Sequence, residues 1–232
     1  MNFFEKIFTE YSRRHEEAVG KQILQADPKK SSIIATLIDN TYKAGHEVWV
    51  MTDCHFIRYN KDTHVISNNT NTSRVIDAAK KTIHDDDLLI YLGDLVDGEV
   101  EKKEELAHLI NSIPGTKVLV RGNNDLFPDS WYTSHGFQYI VPKFVWDDIL
   151  FTHRPEDNTH RMNIHGHVHC QEGKISFTYY NTEISHYHNQ IDAAYCGARV
   201  RPIRLQEIID AQPTFGKQAK FVDKPWKGKS AP

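Results

Sequence analysis

Cysteine is scarce in this sequence. Three occur in 232 residues, Cys54, Cys170 and Cys196, scattered and without a CxxC pair. They make no disulfide framework, so a reducing compartment is expected. Positive charge is also in short supply: Lys and Arg total 28 against 31 Asp and Glu, a formal net charge of -3 with His neutral. Nonspecific binding to DNA or RNA needs clustered Lys and Arg to neutralise phosphates, so no stable nucleic-acid binding is expected. A nucleotide-sized substrate remains compatible with this balance. No apolar run approaches the roughly 18 residues that a membrane span needs. The opening Met1-Asn2-Phe3-Phe4-Glu5-Lys6 carries an early acid and lacks the apolar stretch of a signal peptide. The expectation is a soluble, cytoplasmic protein with no membrane association. Internal repeats and low-complexity tracts are missing as well.

What is present is an ordinary globular composition, 39% hydrophobic and 25% charged, with an unusual 14 histidines. The first 45 residues read as helical. Phe4, Ile7, Phe8 and Tyr11 recur at helical spacing, and Asp27-Pro28 is expected to end that helix. Ser31 or Ser32 is expected to cap a second one, with Ile33, Ile34, Leu37 and Ile38 inward and Gly45 at its end. From Glu47 the pattern becomes β-α-β-α-β: strands at Val48–Met51, Leu88–Leu92 and Lys117–Arg121, helices at Ser73–Ile83 and Glu99–Asn111. That order predicts an α/β fold whose early strands are parallel. Phe137–Val145, Asp147-Asp148 and Ile149–Thr152 read as a hairpin. Strands are expected at Met162–Ile164, Lys174–Tyr180 and Ile191–Tyr195, and a closing helix at Leu205–Ile209. Residues 212–232, rich in Lys, Pro and Gly, read as a poorly ordered tail.

The histidines and acids fall in five clusters, each directly after a predicted strand. These are Asp53-Cys54-His55, Gly93-Asp94-Leu95-Val96-Asp97, Gly122-Asn123-Asn124-Asp125, His153, and Gly166-His167-Val168-His169. The carboxyl ends of strands are where α/β folds bind ligands, so the clusters are expected to share one pocket. Residues two apart in extended chain point the same way, which lets Asp53 with His55, and His167 with His169, reach one centre. Carboxylates, an amide oxygen and imidazoles make a mixed oxygen–nitrogen donor set. It suits Mn, Fe, Zn, Co or Ni better than Ca or Mg. Asp53, His55, Asp94, Asn123, His153, His167 and His169 are too many ligands for one four-coordinate Zn, and they suit two ions with a carboxylate between them. Taken singly, each cluster reads as a turn or a structural histidine. The order of all five, and their common place after strands, carries the argument. Arg58 and Arg154 lie just past proposed ligands and are candidates to hold a substrate phosphate, with surface ion pairing as the plain alternative.

These clusters resemble the five motifs of the calcineurin-like metallophosphoesterase superfamily: DxH, GDxxD, GNxD/E, a lone His, and GHxH, in that order, from about Asp53 to His169. The surroundings look most like its small bacterial and phage-associated members. The resemblance implies a layered α-β-β-α sandwich. Residues 46–211 would form the metallophosphoesterase domain, with 1–45 as an N-terminal helical segment packing on it. It implies that Asp53, His55, Asp94 and His169 hold one metal, and that Asp94, Asn123, His153 and His167 hold the other, with Asp94 bridging. The implied reaction is hydrolysis of a small phosphodiester or phosphomonoester by a hydroxide shared between two divalent ions. The rival readings are a nuclease, which needs a basic groove or capping domain, and a non-catalytic scaffold, which usually loses ligands.

The chain departs from the family at two places. Asp97 is followed by Gly98-Glu99 rather than the Arg-Gly of protein phosphatases, so that activity is not expected. Asn124 stands where many members carry a His that donates a proton or contacts the transition state, with Asp97 to orient it. An amide cannot transfer a proton at neutral pH. A preference for esters with acidic leaving groups is therefore expected, unless His165, His186 or His188 supplies the proton. Cys54 is not expected to be a nucleophile.

Overall fold

Short runs of β-branched and aliphatic residues, buried along most of their length, frame the molecule. β1 (Val48–Met51), β4 (Leu88–Tyr91), β5 (Thr116–Val120) and β6 (Phe137–Val141) run parallel, and the short β11 (Ile203–Arg204) pairs antiparallel with β1. The order in this sheet is β11-β1-β4-β5-β6. A second sheet, ordered β10-β9-β8-β7, comprises β7 (Lys143–Trp146), β8 (Ile149–Thr152), β9 (Met162–His165) and β10 (Gln190–Asp192). Only its β7–β8 pair is antiparallel. A separate hairpin joins β2 (Ile57–Asn60) to β3 (Val65–Asn68). The computed structural model describes residues 27–60, 65–68, 72–96, 103–156, 160–167, 190–193 and 198–210.

Alternation along the first sheet builds two cores. Trp49, Met51, Leu89, Tyr91 and Leu119 face helices α2 (Thr72–Thr82), α3 (Lys103–Ser112) and α4 (Asp129–Ser134), meeting Val75, Ala79, Leu106, Ile110 and Tyr132. Val48, Val50, Leu88, Ile90, Val118 and Val120 face the second sheet and pack on Phe144, Phe151 and Ile164. Phe144 and Phe151 stack with ring centroids 4.5 Å apart. Each large apolar side chain so buried contributes about 1.5–3 kcal/mol. The short helix α5 (Leu205–Asp210) adds Leu205 and Ile208 to the core between the sheets. Helices therefore flank the sheets in an α/β sandwich, and the N-terminal part supplies a further one, α1 (Pro28–Lys43).

α1 starts earlier than its expected serine cap. The Asp27 carboxylate accepts from the backbone N–H of Lys29 and Lys30, and Pro28 sits at the first helical position. Asp27-Pro28 thus opens this helix, because proline's missing N–H costs nothing in the first turn. Its buried side, Ile34 and Ile38, enters the core between the sheets. Lys30 Nζ donates to Ile140 O, Ser31 Oγ accepts from Val145 N–H, and Asp39 accepts from the Trp146 indole. α1 is a packing element along the β6–β7 edge. The expected helix before it and the expected strand at Lys174–Tyr180 lie outside the described residues.

The expected strand Phe137–Val145 is two strands in different sheets, divided at Pro142. Proline has no N–H for a ladder, and the chain uses that break to change sheets. Asp147 and Asp148 both adopt left-handed backbone conformations in the β7–β8 turn, as a tight hairpin requires. Among the described residues no helix is long and apolar enough to cross a membrane.

Candidate metal centre

Strands from both sheets deliver their carboxyl ends to one place. β1 leads into Asp53 and His55, β4 into Asp94, β5 into Asn123, β8 into His153 and β9 into His167. Backbone bonds tie these loops together: Asp53 N–H to Gly93 O, His55 N–H to Asp94 O, and Gly166 N–H to His153 O. Two groups result. Asp53, His55 and Asp94 each offer one ligand atom, all within 4.8 Å of one another, and so do Asp94, His153 and His167. Asp94 belongs to both. Its Oδ2 lies 3.8 Å from His55 Nε2 and its Oδ1 lies 3.4 Å from His153 Nε2. Asn123 Oδ1 is 3.0 Å from the same His153 nitrogen, so it joins the second group.

Hydrogen bonds behind the ligands set their orientation. His153 Nδ1–H donates to Leu92 O at 2.7 Å, and His55 Nδ1–H to Val96 O at 3.2 Å. In the neutral ring that bond places the proton on Nδ1 and leaves Nε2, the atom turned toward Asp94, as the electron-pair donor. This tautomer and the mixed carboxylate–imidazole donor set fit divalent cations. The Asp53 carboxylate accepts from the Thr52 hydroxyl at 2.6 Å and from His167 N–H at 3.0 Å. Asp94 accepts from Asn124 twice, through the backbone N–H on Oδ1 and the side-chain amide on Oδ2, both at 2.9 Å. Asp125, fully buried, accepts from the N–H groups of Asp94, Leu95 and Gly122 and so locks the β4 and β5 loops together.

Charge in the centre is in conflict. Burial works against ionised Asp94, but hydrogen bonding to His153, that imidazole's charge, the Asn124 N–H and the charge of His55 outweigh it and hold the carboxyl well below its usual range. Burial also disfavours charge on His153, yet its hydrogen bond and charge pairing with Asp94 raise it to about 9. His167 moves the other way, to about 4, through burial and then the positive charges of His153 and Arg154. Burial and the charge of Asp94 push Asp125 up to about 6, against its backbone hydrogen bonds. Burial pushes the Cys54 thiol up to about 12.

Asp53, His55, Asp94, Asn123, His153 and His167 are thus brought together. His169, Asp97 and the Arg58 side chain lie outside the described residues, as do His186 and His188. Arg154 is exposed, and its charge is felt at His167. The argument from extended chain fails for the first cluster, because Asp53 and His55 have φ of 51° and 42°. Both lie in a left-handed loop, and their side chains converge through the bonds to Gly93 and Asp94 instead. Asn124 is turned to Asp94. Thr52 and Asp125 were not among the expected site residues. Asp125 had a signal, the acid of the GNxD pattern, whereas Thr52 had none beyond adjacency to Asp53.

Residues 46–212 match the model of the calcineurin-like phosphoesterase family. Among solved structures the chain is similar to a protein of unknown function from Aquifex aeolicus, at 20% identity and a TM-score of 0.50, over 71% of this chain and 98% of that one. It is also similar to the nuclease MPE of Pseudomonas putida, at 18% identity and a TM-score of 0.35, over 53% of this chain and 60% of that one. Among curated proteins none is significantly similar in sequence. The first structural likeness is one of fold. With the family pattern spanning the whole site-bearing region, this chain belongs to the calcineurin-like phosphoesterases, metal-dependent enzymes that hydrolyse phosphate esters.

Proposed function

We propose that this phosphoesterase hydrolyses a small phosphodiester or phosphomonoester, such as a nucleotide or phosphorylated metabolite, with two divalent transition-metal ions side by side. The observation that carries the reading is that two ligand groups meet on one carboxylate, Asp94. Asp53, His55 and Asp94, with His169, would hold one ion; Asp94, Asn123, His153 and His167 would hold the other. When bound, such a pair lowers the pKa of a shared water toward ~7 and neutralises charge on the phosphoryl oxygens. The chain's own contribution is orientation. Leu92 and Val96 carbonyls aim the two imidazoles, Thr52 and the His167 N–H steady Asp53, and Asp125 joins the two loops. Arg154, close enough to act on His167, is our candidate to hold an ester oxyanion. Cys54 takes no part as a nucleophile, because it is buried and its thiol is pushed up to about 12.

Metal-stripped protein is expected to be inactive toward bis-p-nitrophenyl phosphate and p-nitrophenyl phosphate. Mn²⁺ should restore turnover, with two equivalents per chain needed for the full rate. A single-stranded oligonucleotide in the same panel separates a small-ester hydrolase from a nuclease. Full activity in metal-free protein would overturn the reading. Saturation at one equivalent would overturn its two-ion part.

A further inference from the structure

We propose that Asn124 is a positioning residue for the metal bridge, gripping both oxygens of Asp94 so that each oxygen faces one ligand group. The inference rests on the two-ion reading above. The geometry is a two-point clamp. Asn124 N–H donates to Oδ1 and its Nδ2–H to Oδ2, each at 2.9 Å. A rigid body held at two points cannot rotate about its Cβ–Cγ bond, so the plane of the carboxylate is set by the turn that carries Asn124. That turn is itself braced. Leu126 N–H donates to Asn124 O, and the Arg121 guanidinium donates to the carbonyls of Asp125 and Phe127.

The lone-pair count supports this role. An ionised carboxylate offers about four acceptor positions. Asn124 occupies one on each oxygen and leaves one on each. Oδ1 then faces His153 at 3.4 Å and Oδ2 faces His55 at 3.8 Å. An amide suits the task because its NH₂ is always a donor, whatever the pH. One N–H of its side-chain amide is committed to Asp94, and through that bond Asn124 acts on the reaction by way of the carboxylate.

The test uses Asn124→Ala and Asn124→Ser, both of which retain the backbone N–H to Oδ1 and lose the amide to Oδ2. Asn124→Ser keeps a polar side chain in the turn should alanine disturb it. Mn²⁺ binding is titrated without substrate, the electron paramagnetic resonance spectrum of the loaded protein is recorded, and kcat is measured across aryl esters of graded leaving-group pKa. Loss of an outer partner of a metal ligand typically costs 10–100-fold in affinity. The expected result is about that loss for the ion in the Asp53–His55 group, an altered spin-exchange signature of the Mn²⁺ pair, and an unchanged leaving-group slope. Melting temperature in chelator should stay near wild type, which separates a lost clamp from a lost fold. Wild-type affinity and signature in both variants would overturn the inference, and so would a steeper slope with unchanged affinity. Wild-type protein that binds no pair of ions would overturn the two-ion reading along with it.

Discussion

On the two-ion reading, Gly122→Ala should empty both metal sites without replacing any ligand. A Cβ built on Gly122 falls on Asp94, meeting both its Oδ1 and its backbone N, and comes within 3.0 Å of Asp125 Oδ2. Ordinary contact between such atoms begins near 3.5 Å, so the overlap with Asp94 is about 1 Å. Asp94 cannot yield that distance and still serve His55, His153 and Asn124. Overpacking of this kind costs about 1–3 kcal/mol in stability, which a folded domain of this size tolerates. The site does not tolerate it, since a 1 Å misplacement can cost roughly 10²-fold in rate. Gly166→Ala makes a sharper comparison. Its Cβ falls on Thr52 Oγ1 and Asp53 Oδ2, so the Asp53–His55–Asp94 group should fail first. Gly45→Ala is the control. Its Cβ meets nothing within 4 Å, and the φ of +81° brings backbone strain alone, roughly 1–2 kcal/mol. The assay is equilibrium dialysis against Mn²⁺ with elemental analysis, alongside melting curves in chelator. Expected occupancies fall at both sites for Gly122→Ala and at one for Gly166→Ala, and stay at wild-type level for Gly45→Ala. Folded Gly122→Ala protein that binds two ions with wild-type affinity would refute the reasoning.

Two further outcomes are expected. Asp94→Ala should lower occupancy at both sites, whereas His55→Ala should chiefly weaken one; equal single-site losses in metal analysis would remove the bridge. Away from the centre, Asp87 is buried and accepts from the N–H groups of Glu47 and His84 and from the Trp49 indole, each at 2.9 Å. Burial alone would raise its pKa, but the His84, Glu47 and Trp49 donors outweigh it and hold the carboxyl below its usual value. A depressed folded-state pKa means stability that is present above the unfolded value near 4 and lost as pH falls through the lower folded value. Asp87→Ala removes the acceptor of these three bonds and should cost about 1–3 kcal/mol at neutral pH. Asp87→Asn should flatten the acid limb of a urea-unfolding series, and a variant limb parallel to wild type below pH 4 would count against this.

The parallel strands were legible because each is a continuous apolar run flanked by turn residues, as in Leu88–Tyr91 before Gly93-Asp94. The clustered Asp, Asn and His residues were legible because metal-binding chemistry restricts side chains to such types and the strand ends space them. What escaped followed other physics. Asp27-Pro28 was read only as a stop, but the same pair also starts α1, its aspartate capping the first turn. The switch of sheets at Pro142 is a tertiary choice invisible to alternation. α4 is six residues long, too short for a periodic signal, and the β2–β3 hairpin lacks a tight-turn dipeptide. Asp53 and His55 were placed together for the wrong reason, since left-handed backbone, not strand geometry, turns them inward.

The bonds that orient the ligands were the least legible part, and the reason bears on how the centre works. Most of its donors and acceptors are backbone groups: carbonyls of Leu92 and Val96, N–H groups of Asp94, Leu95, Gly122, Asn124 and His167. Such groups carry no residue signature, but they are rigid, and rigidity is what the charges need. Asp53, Asp94 and Asp125 are all essentially fully buried, and His153 lies 3.4 Å from Asp94. Burial and the charge of Asp94 push Asp125 up to about 6, so a negative charge on that carboxylate is disfavoured where the fold holds it. A flexible site would relieve the repulsion by swinging an acid into water. Here Asn124, Asp125 and Thr52 prevent that, leaving cations as the groups that can discharge it. On the proposed reading, entering divalent ions would offset the cost of confining these acids, so the frame of backbone hydrogen bonds and the five-cluster pattern would serve one device.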